Sequence, residues 1–413
     1  MKAIILTIGN EILCGQVIDT NAAWLAQQLL AEGIAIREKW SVADDLDEII
    51  EALDHSSKKA DLIITTGGLG PTADDLTTEA LSKYLKVDRF FHEDTYNQLT
   101  KIFASFGRVP MDSHRLQCML PEGVTVLPNR AGTAPGMYCL NHGVHIIAMP
   151  GVPFEMKAIF DPHVLNLLRS IKSGPKRSSH TFNTAGEGET VLEELIKEIT
   201  DTAPVNIGFA FLPDIYKVRI RVDLDSEKEE DIILWQSVLN SIRLKLAPFI
   251  VGENEATLEV AIGNLLKEKK WMLGTAESCT GGYIAHMITS NPGSSEYYKG
   301  SVIAYHNDLK EDLLHVPVDI LDQYGAVSEE TVKAMAYGAL GMLGVDICIA
   351  ISGIAGPNGG TTEKPVGLVW IAIAEKEGKM VSQKIQLRRD RLLNIRASAT
   401  MSLILLHRFL MNE

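Results

Sequence analysis

The sequence predicts an α/β protein made of three successive units: a parallel-sheet domain, a small α+β unit and a second α/β domain. Three observations carry this. Continuous apolar, β-prone runs alternate with amphipathic helical stretches near the start of the chain. A shorter helix–strand–helix stretch follows a polar, turn-rich segment. From about residue 254 the strand–helix alternation begins again. With 413 residues the chain also exceeds what one ordinary core holds. The expected boundaries are 1–170, 171–253 and 254–413.

In chain order, Lys2–Ile8 reads as a strand covered on both faces, ending at Gly9-Asn10-Glu11. A helix is expected over Asn21–Glu32, with Thr20 or Asn21 as N-cap and Gly33 as its stop. Ile34–Val42 is a second strand, Asp44–Leu53 a helix and Asp61–Thr65 a third strand. Such a β-α-β-α-β order implies right-handed crossovers and ligands beyond the C-terminal strand ends. Ser170–Ser179 reads as a linker. The middle unit contributes a helix at Glu189–Thr200, a strand at Tyr216–Leu224 and a helix at Glu229–Ala247. In the last unit the expected strands are Trp271–Ala276, Ser301–Tyr305, Ile347–Ser352 and Gly367–Ala374, with helices at Tyr283–Thr289 and Arg391–Leu410.

Composition narrows the function classes. Apolar residues make up 46% and charged residues 22%, which is globular rather than disordered usage. A formal charge of −14 argues against a general phosphate-attracting field, so no nucleic-acid partner is expected. Lys176 and Arg177 form the one short basic cluster considered, too short to argue from. Five cysteines, with no CxxC pair, speak against a disulfide framework or structural zinc and for a reducing cytoplasm. The first apolar run is short and lacks a small-residue cleavage site, so a buried strand is expected there rather than a signal peptide. No run of about 18 apolar residues exists, so no membrane partner is expected.

Two regions carry chemistry. The first is Thr65–Glu79 (TTGGLGPTADDLTTE), between a buried strand and a helix. Gly67, Gly68 and Gly70 permit a tight turn that presents N–H groups to an anion, helped by the helix end. No Gly-Lys-Ser/Thr follows, so it is not a P-loop, and GxGxxG is absent. Asp74 and Asp75 could hold a divalent cation such as Mg²⁺ on phosphate oxygens, or could merely cap the next helix. Spacing alone leaves both readings open.

The second is Glu277-Ser278-Cys279-Thr280-Gly281-Gly282, between a short strand and a helix. Ser278 there is either a nucleophile or only an N-cap, and the GxSxG elbow is absent. Cys279 is a rival nucleophile, although neither His286 nor His306 has an evident role as its base. Asn291–Ser295, Tyr305–Asn307 with Lys310, and Ile351–Gly360 followed by Lys364 are further polar or Gly-rich loops. Convergence of these loops at one sheet edge would make a pocket.

These motifs resemble a known family. GGLGPTADDLTTE is similar to the signature of the molybdopterin-binding fold. GNEIL, VADD, GTAPGM and MPGVPFEM narrow the resemblance to the CinA family, with Ala43 and Met149 as local departures where Gly and Leu are usual. AESCTGG, GSSEYYKGSVIAYHNDLK, GAVSEE, SGIAGPNGG and KPVG resemble a nicotinamide-nucleotide amidase domain. The resemblance covers the whole chain and implies a KH-like middle unit and a homodimer.

For the C-terminal domain it implies catalysis by Ser278, Tyr305 and Lys310, converting nicotinamide mononucleotide to nicotinate mononucleotide and ammonia without a cofactor. Thr280, Gly281, Gly282, Ser294, Ser295, Gly356, Gly359, Gly360 and Lys364 are the candidate substrate-binding residues, with N–H groups around Thr280–Gly282 as expected oxyanion donors. Arg391 and Arg396 are further candidates for the substrate phosphate.

For the N-terminal domain the resemblance implies hydrolysis of ADP-ribose with a divalent metal. Asp75 is the catalytic candidate; Asp74, Asp75 and Glu11 are the metal candidates; Gly67, Gly68, Gly70, Thr72 and Asn21 are the binding candidates. The alternatives are a non-catalytic partner in DNA uptake or repair, and a pterin-nucleotide-binding protein.

Overall fold

A computed structural model describes residues 1–171 and 178–411. Most of the expected linker, with Lys176 and Arg177, lies outside the described residues. Packing divides the chain into two compact units, Met1–Ser178 with Asp225–Glu227, and Ser179–Leu224 with Lys228–Glu413.

The first unit holds strands β1 (Lys2–Ile8), β2 (Ala35–Val42), β3 (Leu62–Thr66), β4 (Arg89–Phe91), β5 (Met119–Pro121), β6 (Thr125–Leu127), β7 (Gly136–Asn141) and β8 (Val144–Met149). Its main sheet runs β2-β1-β3-β8-β7-β6, and β4 pairs with β5. β2, β1, β3 and β8 are parallel. β7 and β6 add antiparallel pairs at one edge, so the sheet is mixed where a parallel one was expected. That edge is a local meander: β7 returns into β8 through Asn141–Val144 and needs no crossover helix.

Alternation along β1 explains why the sheet is covered twice. Ile4, Leu6 and Ile8 pack on one face with Ile49, Leu53 and Leu81. Ala3 and Ile5 pack on the other with Leu25, Leu29, Met156 and Leu168. Each strand residue therefore loses its apolar surface to one layer of helices.

Two helix starts differ from expectation. The first long helix is Thr20–Ala31, capped by Asp19, whose carboxylate accepts from Ala22 N–H. A carboxylate competes better for the free N–H groups of a first turn than the threonine or asparagine beside it. The next helix is Leu46–Ser57, capped by Asp45, so Asp44 stays in the loop.

The second unit holds β9 (Ser178–Ala185), β10 (Ile207–Asp214), β11 (Lys217–Leu224), β12 (Ile250–Glu253), β13 (Leu273–Glu277), β14 (Tyr298–Ile303), β15 (Ile347–Gly353), β16 (Leu368–Glu375) and β17 (Met380–Gln386). The sheet β10-β11-β9-β12 carries helices Glu189–Thr202 and Glu229–Leu246 through Leu192, Ile196, Trp235 and Ile242. Only β11 of these four strands was expected from the sequence.

The second sheet of this unit runs β14-β13-β15-β16-β17. β13, β14 and β15 are parallel; β16 and β17 are antiparallel additions. Ile347, Ile349 and Ile351 pack on helices Leu258–Lys269 and Arg391–Met411, in a core that Ala185 and Ile215 of the neighbouring sheet share. Cys348 and Ala350 face helix Glu329–Leu343 on the other side.

Gly338 lets that helix approach the chain after Lys310, because a Cβ there would stand 1.8 Å from the Leu314 carbonyl oxygen. Gly338→Ala should therefore lower stability by about 1–3 kcal/mol through overpacking, although alanine is the better helix former. Calorimetry of the full chain checks this; an unchanged or raised unfolding temperature would contradict the packing.

Candidate functional site

The strand directions set where the loops go. β13, β14 and β15 end at one edge of their sheet, and the antiparallel partners bring the start of β16 and the end of β17 to it. Helix Arg391–Met411 begins just beyond β17, so Arg391 reaches the same edge. There a cavity of about 280 Å³ is lined by Ser278, Tyr305 and Lys310, with Asn307, Ser352, Gly356, Asn358, Gly359 and Arg391. Residues more than 100 positions apart thus meet because parallel strands put their C-terminal ends together.

Glu277 builds the turn under Ser278. Its carboxylate is fully buried and accepts from Gly282 N–H (3.0 Å), Ile284 N–H (3.1 Å) and Ala285 N–H (2.9 Å). Thr280 Oγ donates to it at 2.7 Å, and Thr275 and Ser301 hydroxyls lie at 3.3 and 3.4 Å. The first-turn N–H groups of helix Tyr283–Thr289 are therefore occupied by an internal anion. This corrects the expectation that Gly282 would offer an oxyanion donor. Of the residues that follow Ser278 in this turn, Cys279 lines the cavity, whereas Thr280 lies behind the wall. Ser278 is anchored through its N–H on Ile351 O at 3.1 Å.

Lys310 is 1% exposed, and its amine donates to Ala304 O at 2.9 Å and Tyr305 O at 3.4 Å. No carboxylate pairs with it among the described residues, and burial holds its amine below the ordinary lysine value. Tyr305 lies past the end of β14 rather than on it, and its phenol oxygen accepts from Arg391 Nη2 at 2.9 Å. Arg391 Nη1 donates to Gly356 O at 2.6 Å. Burial pushes the Cys279 thiol up to about 12, so at neutral pH it is not a thiolate.

Several expected binding residues stand elsewhere. Ser294 and Ser295 precede β14 and lie at the opposite end of the strand from Tyr305, because that strand runs parallel to β13. Lys364 donates its amine to Tyr324 O and does not line the cavity. Arg396 pairs with Asp214 at 3.7 Å. Thr280, Gly281, Gly282 and Gly360 shape loops behind the lining, with Gly281 and Gly282 in the left-handed region at φ +60° and +98°.

In the first unit, the C-terminal ends of β1, β2, β3 and β8 frame a cavity of about 490 Å³. Glu11, Asp44, Asp74, Asp75 and Glu155 line it together with Gly67, Gly68 and Gly70. Gly67 has φ +111°, and a Cβ there would stand 2.0 Å from Ile8 O, so only glycine fits this turn. Asp75 turns into its own loop, accepting from Gly70 N–H at 2.7 Å, Thr72 N–H at 2.8 Å and the Thr72 hydroxyl. Asn21 does not line the cavity: its amide clamps Thr66 Oγ (3.1 Å) and Gly151 O (2.6 Å) behind it.

Asp44 and Glu155, which the motifs contained without an assigned role, join the wall. Burial raises Asp44 above its ordinary value, with the charges of Glu11, Asp74 and Asp75 adding to it against a hydrogen bond from Asn10 N–H. Burial likewise raises Glu155, against a hydrogen bond from Asn129 at 2.6 Å. Among the described residues no group of three or more His, Cys, Asp or Glu side chains converges into a metal cage. The donor set suits Mg²⁺ in the way that ion is usually held, by one or two carboxylates with the rest from water and phosphate. No helix among the described residues is long and apolar enough to cross a membrane.

Glu277→Ala should destabilise the protein by about 3 kcal/mol or more, since each buried donor left unpaired costs about 1–3 kcal/mol. Hydrogen exchange should also quicken at the amides of Gly282, Ile284 and Ala285. Unchanged exchange at these three amides would show that the carboxylate does not hold the turn.

Residues 4–170 match the family described as probable molybdopterin binding domain, and residues 255–410 match the CinA C-terminal domain. A CinA-like protein of Cytophaga hutchinsonii is 43% identical over 98% of this chain and 97% of its own length. A second, from Dictyoglomus thermophilum, is 36% identical over 95% of each. A crystal structure of the protein CinA from Thermoplasma acidophilum is similar at 36% identity, covering 41% of this chain and 96% of its own, with a TM-score of 0.37. With both domain families matched and full-length relatives at this identity, the chain belongs to the CinA family.

Proposed function

We propose that the chain is an amidohydrolase of nicotinamide mononucleotide, working through Ser278, Tyr305 and Lys310. The observation that carries this is one cavity lined by all three side chains, in which the lysine is buried without an acidic partner among the described residues. Ser278 Oγ attacks the carboxamide carbon while its proton passes by way of Tyr305 to neutral Lys310. The oxyanion is met by the backbone of the turn after Ser278, where Cys279 lines the cavity. The proton returns to the departing nitrogen, the C–N bond breaks and ammonia leaves. Water then attacks the acyl-serine, giving nicotinate mononucleotide and free Ser278. Arg391 is the cation in this cavity besides Lys310, and it suits the substrate phosphate.

Ser278→Ala should reduce ammonia release by a factor on the order of 10⁴ or more, and Lys310→Ala likewise, with the double variant little worse than either. Tyr305→Phe should cost about 10²-fold or more. Cys279→Ala should retain most activity. Because the base must be neutral, kcat should rise with pH along a limb lying below the ~10.4 of a free lysine. Lys310→Arg, charged throughout, should lack that limb. A folded Ser278→Ala protein working at the wild-type rate would remove the serine mechanism.

The same reading gives the first unit a second activity, hydrolysis of ADP-ribose to AMP and ribose 5-phosphate. The Gly67–Gly70 turn supplies N–H groups for phosphate, and one or two of the carboxylates Glu11, Asp44 and Asp74 would hold a divalent cation neutralising it, Asp75 being committed to its own loop. Asp75 orders the Gly70–Thr72 turn, so Asp75→Asn should weaken turnover by about tenfold or more through loss of charge-assisted hydrogen bonds. AMP release with and without magnesium measures this, and full activity in Asp75→Asn would discard the assignment.

A further inference from the structure

We propose that the β10–β11 hairpin is a positioning element for the C-terminal cavity: Tyr216 at its tip holds Arg389, and with it the segment from which Arg391 reaches the cavity. For the substrate alone, this rests on the amidohydrolase reading.

The tip of the hairpin is planted in the neighbouring core. Ile215, the first residue of the turn, is 9% exposed and shares a buried cluster with Leu258, Ala355 and Leu387. Lys217, the first residue of β11, pairs with Glu259 at 3.3 Å, which ties the turn to helix Leu258–Lys269. Between them stands Tyr216, with φ +55° and its carbonyl accepting from Gly186 N–H at 2.9 Å. A bulky side chain is unfavourable in that left-handed region, and glycine would make the turn at lower backbone cost. What tyrosine adds there is its ring.

The ring receives Arg389, whose guanidinium carbon lies 5.9 Å from its centroid. Arg389 belongs to the short connection between β17 and helix Arg391–Met411. Its N–H donates to Asn394 Oδ1 at 3.2 Å, and its carbonyl accepts from Asn394 Nδ2 at 2.8 Å. The same Nδ2 donates to Ala355 O at 3.0 Å, and Asn394 is 1% exposed. Arg389 is thus bound on one side to the hairpin and on the other, through Asn394, to the loop that carries Gly356. On the far side of Arg391, Arg396 meets Asp214 of the same hairpin at 3.7 Å. The hairpin therefore touches the segment both before and after Arg391.

Arg391 needs such a hold. It is an exposed, long side chain that must keep Nη1 on Gly356 O and Nη2 on the Tyr305 phenol while it faces the substrate phosphate. Each wandering root position would cost binding free energy when substrate fixes it. Arg388 and Arg389 stand next to it in the sequence and carry the same charge. Drawing Arg389 onto the ring of Tyr216 takes that charge to the hairpin side and leaves the cavity side to Arg391.

The test compares kinetics and hydrogen exchange in full-length variants, with circular dichroism to confirm folding. Arg389 is exposed, so truncating it spares the core. Arg389→Ala and Tyr216→Ala should each raise KM for nicotinamide mononucleotide by about fivefold and leave kcat within about twofold, the signature of lost binding rather than lost enzyme. Arg389→Lys and Tyr216→Phe keep a cation on a ring and should stay near the wild-type KM. In an Arg391→Ala background either alanine variant should change KM by no more than about twofold, because it acts through Arg391. The amides of Leu387 and Asn394 should exchange faster in the two alanine variants and not in the conservative ones. An unmoved KM, a fall in kcat alone, or a full effect on top of Arg391→Ala would overturn the positioning role. A wild-type chain that releases no ammonia from nicotinamide mononucleotide would remove the amidohydrolase reading instead. Exchange then decides alone: faster exchange confined to the alanine variants supports the hold on the segment, and unchanged exchange overturns it.

Discussion

A buried carboxylate at the start of a helix is the constraint on which the C-terminal site depends. Glu277 is fully enclosed, and its two oxygens gather three backbone N–H groups together with the Thr280 hydroxyl. An isolated anion in such a place would be costly. Here the donors replace water, and the positive end of the helix favours the charge. The result is a turn with no freedom left, and Ser278 sits on it. The same carboxylate answers the question a helix start always poses, namely where its unpaired N–H groups go. The N–H groups of Gly282, Ile284 and Ala285 are therefore already taken inside the protein.

The N-terminal cavity reuses this device on another loop. Asp75 gathers the N–H groups of Gly70 and Thr72 and ties a glycine-rich turn at the end of β3. In both units a carboxylate beside a glycine-containing loop is committed to backbone order. The difference lies in the neighbours. Around Ser278 the cavity carries Lys310 and Arg391, whereas around Asp75 it carries further carboxylates. The two sites thus have opposite local charge within one acidic chain, and net charge says little about either.

Lys310 shows what the site costs the fold. Its amine is inside the protein with carbonyl oxygens as acceptors, so the charged form is disfavoured. Since its value is lower when folded than when unfolded, the penalty is full below the folded value, and it fades as pH rises from the folded to the unfolded value, where folding expels a proton. An apolar side chain of similar length would pack there more cheaply. Under the proposed reaction the amine is kept as the group that takes the proton.

Much of this was legible in the residues. β1 was readable over Lys2–Ile8 and the helix over Tyr283–Thr289, because an apolar run and a turn followed by amphipathic spacing are local signals. The residue types at both turns were readable too, since glycines and a serine between strand and helix leave few alternatives. The strands β9, β10 and β12 were not: β9 is mostly polar, β10 carries a glycine and a proline, β12 is four residues long, and β9 pairs with β12 across a long stretch of sequence. Which loops share an edge was equally hidden: Ser294 and Ser295 read as pocket residues until strand direction put them at the far end. The sequence by itself determined the local turns and the chemical groups on them. Only the tertiary structure decided that Ser278, Tyr305, Lys310 and Arg391 face one cavity, and that Glu277 rather than a ligand occupies the helix end. The reason is that backbone preference acts over a few residues, whereas strand order, burial and the partner of each N–H are settled by segments far apart in the chain.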